Sequence, residues 1–266
     1  MIDNVKQLRY WLRSKGSIFS DFSKHTLDRG NKRKRRIFID NNSDVLFVAH
    51  LDTVCKPKFM KRTKKRIYAS GLDDRLGAML AYELSNRLRA DLLLTDHEES
   101  CQTTAQYHEC KDYNWIVEFD RAGSDIVTYD LDNPDFLLAL SDKWEVGFGS
   151  YSDIMDLKTE ACCFNLGIGY HRAHSIDSYV DIRQTKKQLV KFAEFFERHK
   201  DTKFVRDEQW LYGSDTLYDP DGVCEVCGLA YGESVFGYVV CEDCLSYMME
   251  MQGCYKDDRL MFEDSL

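Results

Sequence analysis

Two histidines and a series of carboxylates stand along this chain in an order that suits a pair of metal ions. His50 and Asp52 lie in VAHLDTV, Asp73 in SGLDDRLG, Glu98 and Glu99 in LLLTDHEES, Asp120 in IVEFD and His174 in YHRAHS. Each follows an apolar run or opens a helical pattern, and an α/β sheet carries its functional groups at the carboxyl ends of its strands. A two-ion centre needs a histidine at either end, a carboxylate shared between the ions and one more carboxylate for each. An unligated carboxylate must then move protons. The chain supplies that whole inventory. Singly, none of these residues is informative: a histidine after a strand is more often a satisfied core residue, and a Glu-Glu pair is usually a solvated helix start. Their order is what argues for chemistry.

The elements that must position them follow from periodicity. Val5, Leu8 and Leu12 share a helical face. RRIFIDN and DVLFVAH read as two strands joined by an Asn-Asn-Ser turn, the second delivering His50 at its end. RIYAS is a further strand, and Arg75 to Leu88 reads as a helix with Leu76, Met79, Leu80 and Leu84 on one side. DLLLT, WIVEFD and DIVTYD read as strands, and Pro134 opens a helix through FLLALSDKW. ACCFNLGIG is a fully apolar strand, as in a sheet covered on both faces. Gln184 to His199 is a long helix burying Leu189, Phe192, Phe195 and Phe196. This alternation predicts an α/β fold: a mixed, mostly parallel sheet flanked by helices.

With these motifs in view, the chain resembles the co-catalytic di-zinc exopeptidase clan, which includes leucyl and glutamyl aminopeptidases, carboxypeptidase G and the acetylornithine deacetylase type. HLDTV with Pro57 is similar to the HxDTVP segment of the carboxypeptidase G branch, and IYASGLDDRLG to the glutamyl aminopeptidase branch. TDHEES resembles the clan's acidic pair without the usual following Gly, and GSYSDIMDL the Ser-Asp segment before the last ligand. The resemblance covers residues 35–183. It implies that Asp73 bridges both ions, that His50 and Asp120 complete one site, and that Glu99 and His174 complete the other. It makes Glu98 the general base and Asp52 the group that orients His50. Asp73 is chosen over Asp74 because the clan's bridging Asp stands four residues before the Gly, here Gly77. A cis peptide after that Asp is common in the clan, making Asp73–Asp74 a candidate. His171 is expected as a supporting or substrate-facing group, and His97 as a side chain pointing away from Glu98. Two zinc ions, with Co2+ or Mn2+ as alternatives, would lower the pKa of a shared water, and Glu98 would take its proton.

The chain also departs from the clan. Only 22 residues separate His50 from Asp73, which leaves no room for the dimerisation domain that some relatives insert there. No lid domain fits between Asp120 and His174.

The 266 residues, 44% hydrophobic, allow one α/β domain and a small module. No run of eighteen apolar residues is present, so no membrane span is expected, and the charged N-terminal segment argues against export. The net charge of −9 hides an asymmetry: residues 1–70 carry 18 Lys+Arg against 6 Asp+Glu. The basic excess lies in NKRKRR (residues 31–36) and KPKFMKRTKKR (residues 56–66). Sparse aromatic interleaving favours solvated loops or hairpin faces over a nucleic-acid surface. An alternative is that the second stretch flanks the active-site mouth and attracts acidic substrates.

Ten cysteines do not form a disulfide pattern. Cys224 and Cys227, then Cys241 and Cys244, make two CxxC pairs thirteen residues apart, a spacing suited to one tetrahedral zinc. The others are scattered, which fits a reducing, cytoplasmic setting. The expected organisation is a di-metal hydrolase domain (residues 1–205), a linker (206–221), a four-cysteine zinc ribbon or knuckle (222–254) and an acidic tail (255–266). The module could dock a protein partner, and its own acidity disfavours nucleic acid. The expected activity is zinc-dependent cleavage of an amide bond in a peptide, first as an aminopeptidase. The alternatives are an N-acyl amino-acid deacylase or deamidase acting on a small substrate, and a non-catalytic metal-binding interaction protein.

Overall fold

The computed structural model describes Ile2, residues 4–207 and two short later strands. Helices α1 (Val5–Trp11) and α2 (Lys15–Asp21) open the chain, capped by the side chains of Asn4 and Ser14. Strands β1 (Thr26–Leu27), β2 (Arg36–Ile39), β3 (Val45–His50), β4 (Lys58–Arg62) and β5 (Arg66–Ser70) precede α3 (Leu72–Leu88). There follow β6 (Asp91–Thr95), β7 (Trp115–Arg121), β8 (Ile126–Val127), α4 (Pro134–Ser141), β9 (Cys163–Gly167), β10 (Tyr170–His171), β11 (Tyr179–Asp181) and α5 (Ile182–His199). The chain divides into two compact units, Met1–Glu208 and Gln209–Leu266. Of the second, an antiparallel hairpin of β12 (Glu233–Val235) and β13 (Tyr238–Val240) is described. Cys224, Cys227, Cys241 and Cys244, with the tail and all of the expected linker beyond residue 207, lie outside the described residues.

The main sheet has seven strands in the order β1-β2-β6-β3-β7-β9-β8. Its centre, β6-β3-β7-β9, is parallel, and antiparallel pairs close both edges. Every residue of β3, β6 and β9 is buried, as strands covered on both faces require. On one face α3, α4 and α5 pack over an aromatic cluster: Phe192 lies 5.4 Å from Phe47 and 5.0 Å from Phe119, and Phe195 lies 5.3 Å from Trp115. On the other face Leu46, Val48, Leu93 and Ile116 meet Ala105, Ile154 and Leu157, from segments that include the 3-10 turns Thr104–Tyr107 and Asp153–Asp156.

Strands β2 and β3 are consecutive in sequence but not paired; β6 lies between them. The Asn-Asn-Ser turn is anchored to the start of β6 instead. The Asn41 and Ser43 amides donate to Asp91 Oδ1 at 2.8 and 3.1 Å, and the Asn41 side chain donates to the Ala90 carbonyl. The second basic stretch is the β4–β5 hairpin, so its hairpin-face reading holds. β8 covers only two residues of the expected DIVTYD strand.

Helix α3 sits hard against β7 because Gly77 has no side chain. A Cβ there would stand 1.8 Å from the Phe119 carbonyl oxygen and 2.1 Å from Asp74 Oδ1. The Phe119 oxygen is backbone, and the Asp74 carboxylate is held by the Gly77 and His50 amides, so the helix itself must move. Gly77→Ala is expected to cost at least about 2 kcal/mol, read as a lower urea midpoint, since overpacking at a rigid contact displaces backbone.

Candidate active site

His50 and Asp120 stand at strand ends, Asp73 at a helix start, Glu98 and Glu99 on the turn after β6, Asp52 just past β3, and His174 in the loop between β10 and β11. His50 closes β3, and its ring is fully buried. Its Nδ1 lies 3.2 Å from the Asp52 carbonyl oxygen and 3.5 Å from Asp52 Oδ1. A proton on Nδ1 satisfies these acceptors and leaves the Nε2 lone pair pointing into the cluster, the arrangement of a metal-ligating histidine. Nε2 lies 3.3 Å from Asp73 Oδ1, 3.3 Å from Asp120 Oδ1 and 3.6 Å from Glu98 Oε2. His174 Nε2 lies 3.2 Å from Asp73 Oδ2 and 2.9 Å from Glu99 Oε2. The two oxygens of Asp73 therefore face two different histidines.

Local structure explains the placement. At Asp73 and Asp74 the backbone leaves helical geometry, and the peptide bond between them is cis. The Asp74 carboxylate turns inward and accepts from the Gly77 amide at 2.9 Å and the His50 amide at 3.2 Å. It thereby ties the start of α3 to the end of β3. Glu98 and Glu99 form a short 3-10 turn after β6, between His97 and Cys101 with positive φ. Their amides donate to the two Asp52 oxygens at 3.2 and 3.1 Å. Asp52 thus holds the acidic turn as well as His50, a wider role than the expected one. Asp120 ends the β7 run, with its amide on Asn165 Oδ1 and its carbonyl accepting from the Tyr170 hydroxyl at 2.6 Å.

The competing histidines fall outside the cluster. His97 turns to the Lys32 carbonyl at 3.3 Å. His171 hydrogen-bonds Gln184 at 2.7 Å and stacks on Tyr179 at 5.0 Å. Three further buried acids belong to the surroundings: Asp74, Glu118 and Asp153. Glu118 pairs with the Ser152 hydroxyl, and Asp153 with that of Thr95. From sequence, Asp74 stands only as a rival to Asp73, and Asp153 only as part of the Ser-Asp segment. Glu118 was missed, although a charged residue inside the apolar strand WIVEFD was a readable signal.

The cluster concentrates more negative charge than its histidines offset. Burial, reinforced by Asp120, Asp153 and Glu99, pushes the Glu98 carboxyl up to about 9. Burial and Asp73 raise Asp120 to about 7. Hydrogen bonds to Asp73 and Glu99 raise His174 to about 11. Burial opposes protonation of His50, but Asp120, Asp52 and Asp73 outweigh it and raise its pKa. For Asp73 burial acts upward, yet the two histidines hold it well below the usual carboxylate range.

The donor set suits divalent ions. His50 Nε2, Asp120 Oδ1 and Glu99 Oε1 are buried and make no hydrogen bond. Ligand atoms of His50, Asp73 and Asp120 lie within 4.8 Å of one another, as do those of Asp73, Glu99 and His174. Imidazole and carboxylate are the donors zinc and its neighbours accept. A third triplet joins His50 to Glu98 and Glu99, so geometry alone leaves Glu98 two roles.

Solved structures share this architecture. Aminopeptidase PepT from Bacillus cereus ATCC 10987 superimposes with a TM-score of 0.51 at 10% identity, over 70% of this chain and 93% of that one. The Pyrococcus horikoshii TET1 peptidase gives 0.50 at 12% identity, over 72% and 98%. The chain shares its fold with these peptidases. No protein-family model and no curated protein matches the sequence. Among the described residues, no helix is long and apolar enough to cross a membrane.

The charge imbalance has a measurable consequence. Without ions, folded Asp120 and Glu98 hold protons that the unfolded chain releases near pH 4. Their stabilising contribution is complete below that range and is lost as pH rises through about 7 and about 9. His174 acts with the same sign up to about 11. Divalent ions compete with those protons for the same lone pairs. The rise in melting temperature on adding Zn2+ or Co2+ to chelator-treated protein is therefore expected to be larger near pH ~8 than near pH ~6. An equal rise at both would place the bound ion elsewhere.

Proposed function

We propose that this chain is a metallohydrolase that cleaves an amide bond, acting as an aminopeptidase on peptides. One observation carries the reading: a single buried carboxylate, Asp73, presents one oxygen to each of two histidines, each with a second carboxylate beside it. In this reading His50, Asp73 and Asp120 hold one ion, and Asp73, Glu99 and His174 hold the other. Two divalent ions, zinc or Co2+ or Mn2+ in its place, would supply Lewis acidity and lower the pKa of water at the site.

The protein's own groups do the rest. Glu98 stands 3.6 Å from His50 Nε2 on a turn clamped by Asp52, where burial favours its protonated form. Two dications beside it would favour its ionised form, and that carboxylate would take a proton from the attacking water and, as the acid, pass it to the leaving nitrogen. Asp52 fixes the His50 ring and the Glu98 backbone together.

Two features favour a chain end, and its amino end in particular. Side-chain exposure rises from 0% at His50 to 44% at His174, so the site is closed at one side and open at the other. Four carboxylates balance two dications, and Asp153, which acts on Glu98, adds further negative charge. A free ammonium suits that field better than a carboxylate or a neutral N-acyl group. The fold shared with peptidases agrees with this choice.

In the same reading the C-terminal region comprises a linker at 206–221, a module at 222–254 with one structural zinc on Cys224, Cys227, Cys241 and Cys244, and an acidic tail. In sequence, the β12–β13 hairpin falls between the two CxxC pairs.

The test is a panel of free-amine peptides and N-acyl amino acids, with metal content measured beside turnover. Free-amine peptides are expected to be cleaved. Glu98→Gln is expected to keep both ions and lose about 10²–10⁴ in kcat. Loss of an ion in that variant would make Glu98 a ligand instead. Turnover of N-acyl substrates alone would move the protein to the deacylases, and silence from metal-loaded protein would refute the enzyme reading.

A further inference from the structure

The β4–β5 hairpin belongs to a second sheet, ordered β10-β11-β5-β4. One face is buried through Tyr170, Val180 and Ile67. Facing residues alternate along strands, so the other face carries a cross-strand row of His171, Tyr179, Tyr68 and Lys61. The rings in this row are spent on each other and on cations. His171 stacks on Tyr179, Tyr68 lies 5.9 Å from Tyr179, the Arg66 guanidinium sits 4.3 Å from the Tyr179 ring, and Lys61 Nζ sits 4.8 Å from the Tyr68 ring. A nucleic-acid platform needs open ring faces for bases, and this row offers none. It offers charge: Lys58, Lys61, Lys64 and Lys65 are exposed and have no carboxylate partner among the described residues.

This basic surface runs straight into the candidate site. β5 ends at Ser70, three residues before Asp73, and β10 ends at His171, three residues before His174. Lys58 stands opposite Ser70, and Arg62 opposite Ile67, further out. At about 3.3 Å per residue, the hairpin reaches roughly 13 Å from Ser70 to Arg66.

We propose that this hairpin face is a docking track for the acidic downstream portion of a peptide whose amino end occupies the di-metal site. The inference rests on the peptidase reading and narrows its substrate class to peptides carrying Asp or Glu several residues beyond the scissile bond. An extended peptide advances about 3.3–3.6 Å per residue. The favoured acids therefore lie roughly four to six positions downstream. Carboxylates match the ammonium heads of Lys58, Lys61, Lys64 and Lys65, and a lysine-rich track raises both local substrate concentration and capture rate.

The experiment uses the metal-loaded full chain and peptides that share a neutral Leu-Ala amino end, followed by neutral residues and then a Glu, Gln or Lys block. Leu-Ala alone reports the basal reaction. The Glu peptide is expected to exceed the Gln peptide by about tenfold in kcat/KM, mostly through KM, and the Lys peptide to be poorest. The advantage should shrink as salt rises past about 0.15 M, where the screening length is about 8 Å. The combined variant Lys58→Glu, Lys61→Glu, Lys65→Glu is expected to reverse the Glu-over-Lys ranking. Equal kcat/KM for all three peptides, with Leu-Ala cleaved, would overturn the track but not the peptidase. If no peptide is cleaved, anisotropy of the labelled Glu peptide still decides the surface: salt-sensitive binding lost in the variant supports it, and absence of binding overturns it. Tighter binding of a single-stranded oligothymidylate than of the Glu peptide would assign the face to nucleic acid and overturn the proposal.

Discussion

The site depends on Asp73 being buried while its two oxygens face two different histidines. That placement follows from a short chain of contacts. Gly77 lets α3 press onto β7, which carries Asp120 at its end. Asp74, adjacent to Asp73, accepts from both the Gly77 and His50 amides. One side chain thereby registers the helix start against the end of β3. Asp52 does the same for the acidic turn after β6, through the Glu98 and Glu99 amides. Two strand ends, those of β3 and β6, and a helix start are held together by two carboxylates that lie outside the proposed ligand set.

Such an arrangement conflicts with the ordinary cost of burying charge. Isolated buried carboxylates protonate sooner than stay ionised, and Glu98, Asp120 and Glu118 are all displaced in that direction. The fold tolerates the strain because histidines, hydroxyls and backbone amides surround the group. It leaves a few buried atoms, such as Asp120 Oδ1 and His50 Nε2, without a hydrogen bond. A polar cluster satisfied only in part by the protein has its remaining stabilisation to gain from cations. Stability and the proposed chemistry are therefore coupled through the same atoms.

The scaffold around this centre is spare. Between His50 and Asp73 the chain builds one basic hairpin and nothing more. Lys58, Lys61, Lys64 and Lys65 of that hairpin are exposed. The local positive excess of residues 1–70 then stands against an acidic pocket at short range.

Much of this was legible beforehand. The helices starting near Val5, Pro134 and Gln184, the buried strands and the order of His50, Asp73, Glu98, Glu99, Asp120 and His174 follow from periodicity and motif spacing, because those signals are local. The separation of β2 from β3 by β6 was not, since the turn between them looks the same whether its strands pair or part. Pairing was decided by Asp91, distant in sequence, capturing the turn amides. The dual clamping by Asp52, the part played by Asp74 and the proton-holding Glu118 were likewise hidden, because each depends on neighbours brought together only by folding. Residue order determined which groups were available for chemistry. The tertiary structure decided which oxygen faces which nitrogen, because side-chain direction and burial are set by packing between elements rather than by sequence within them.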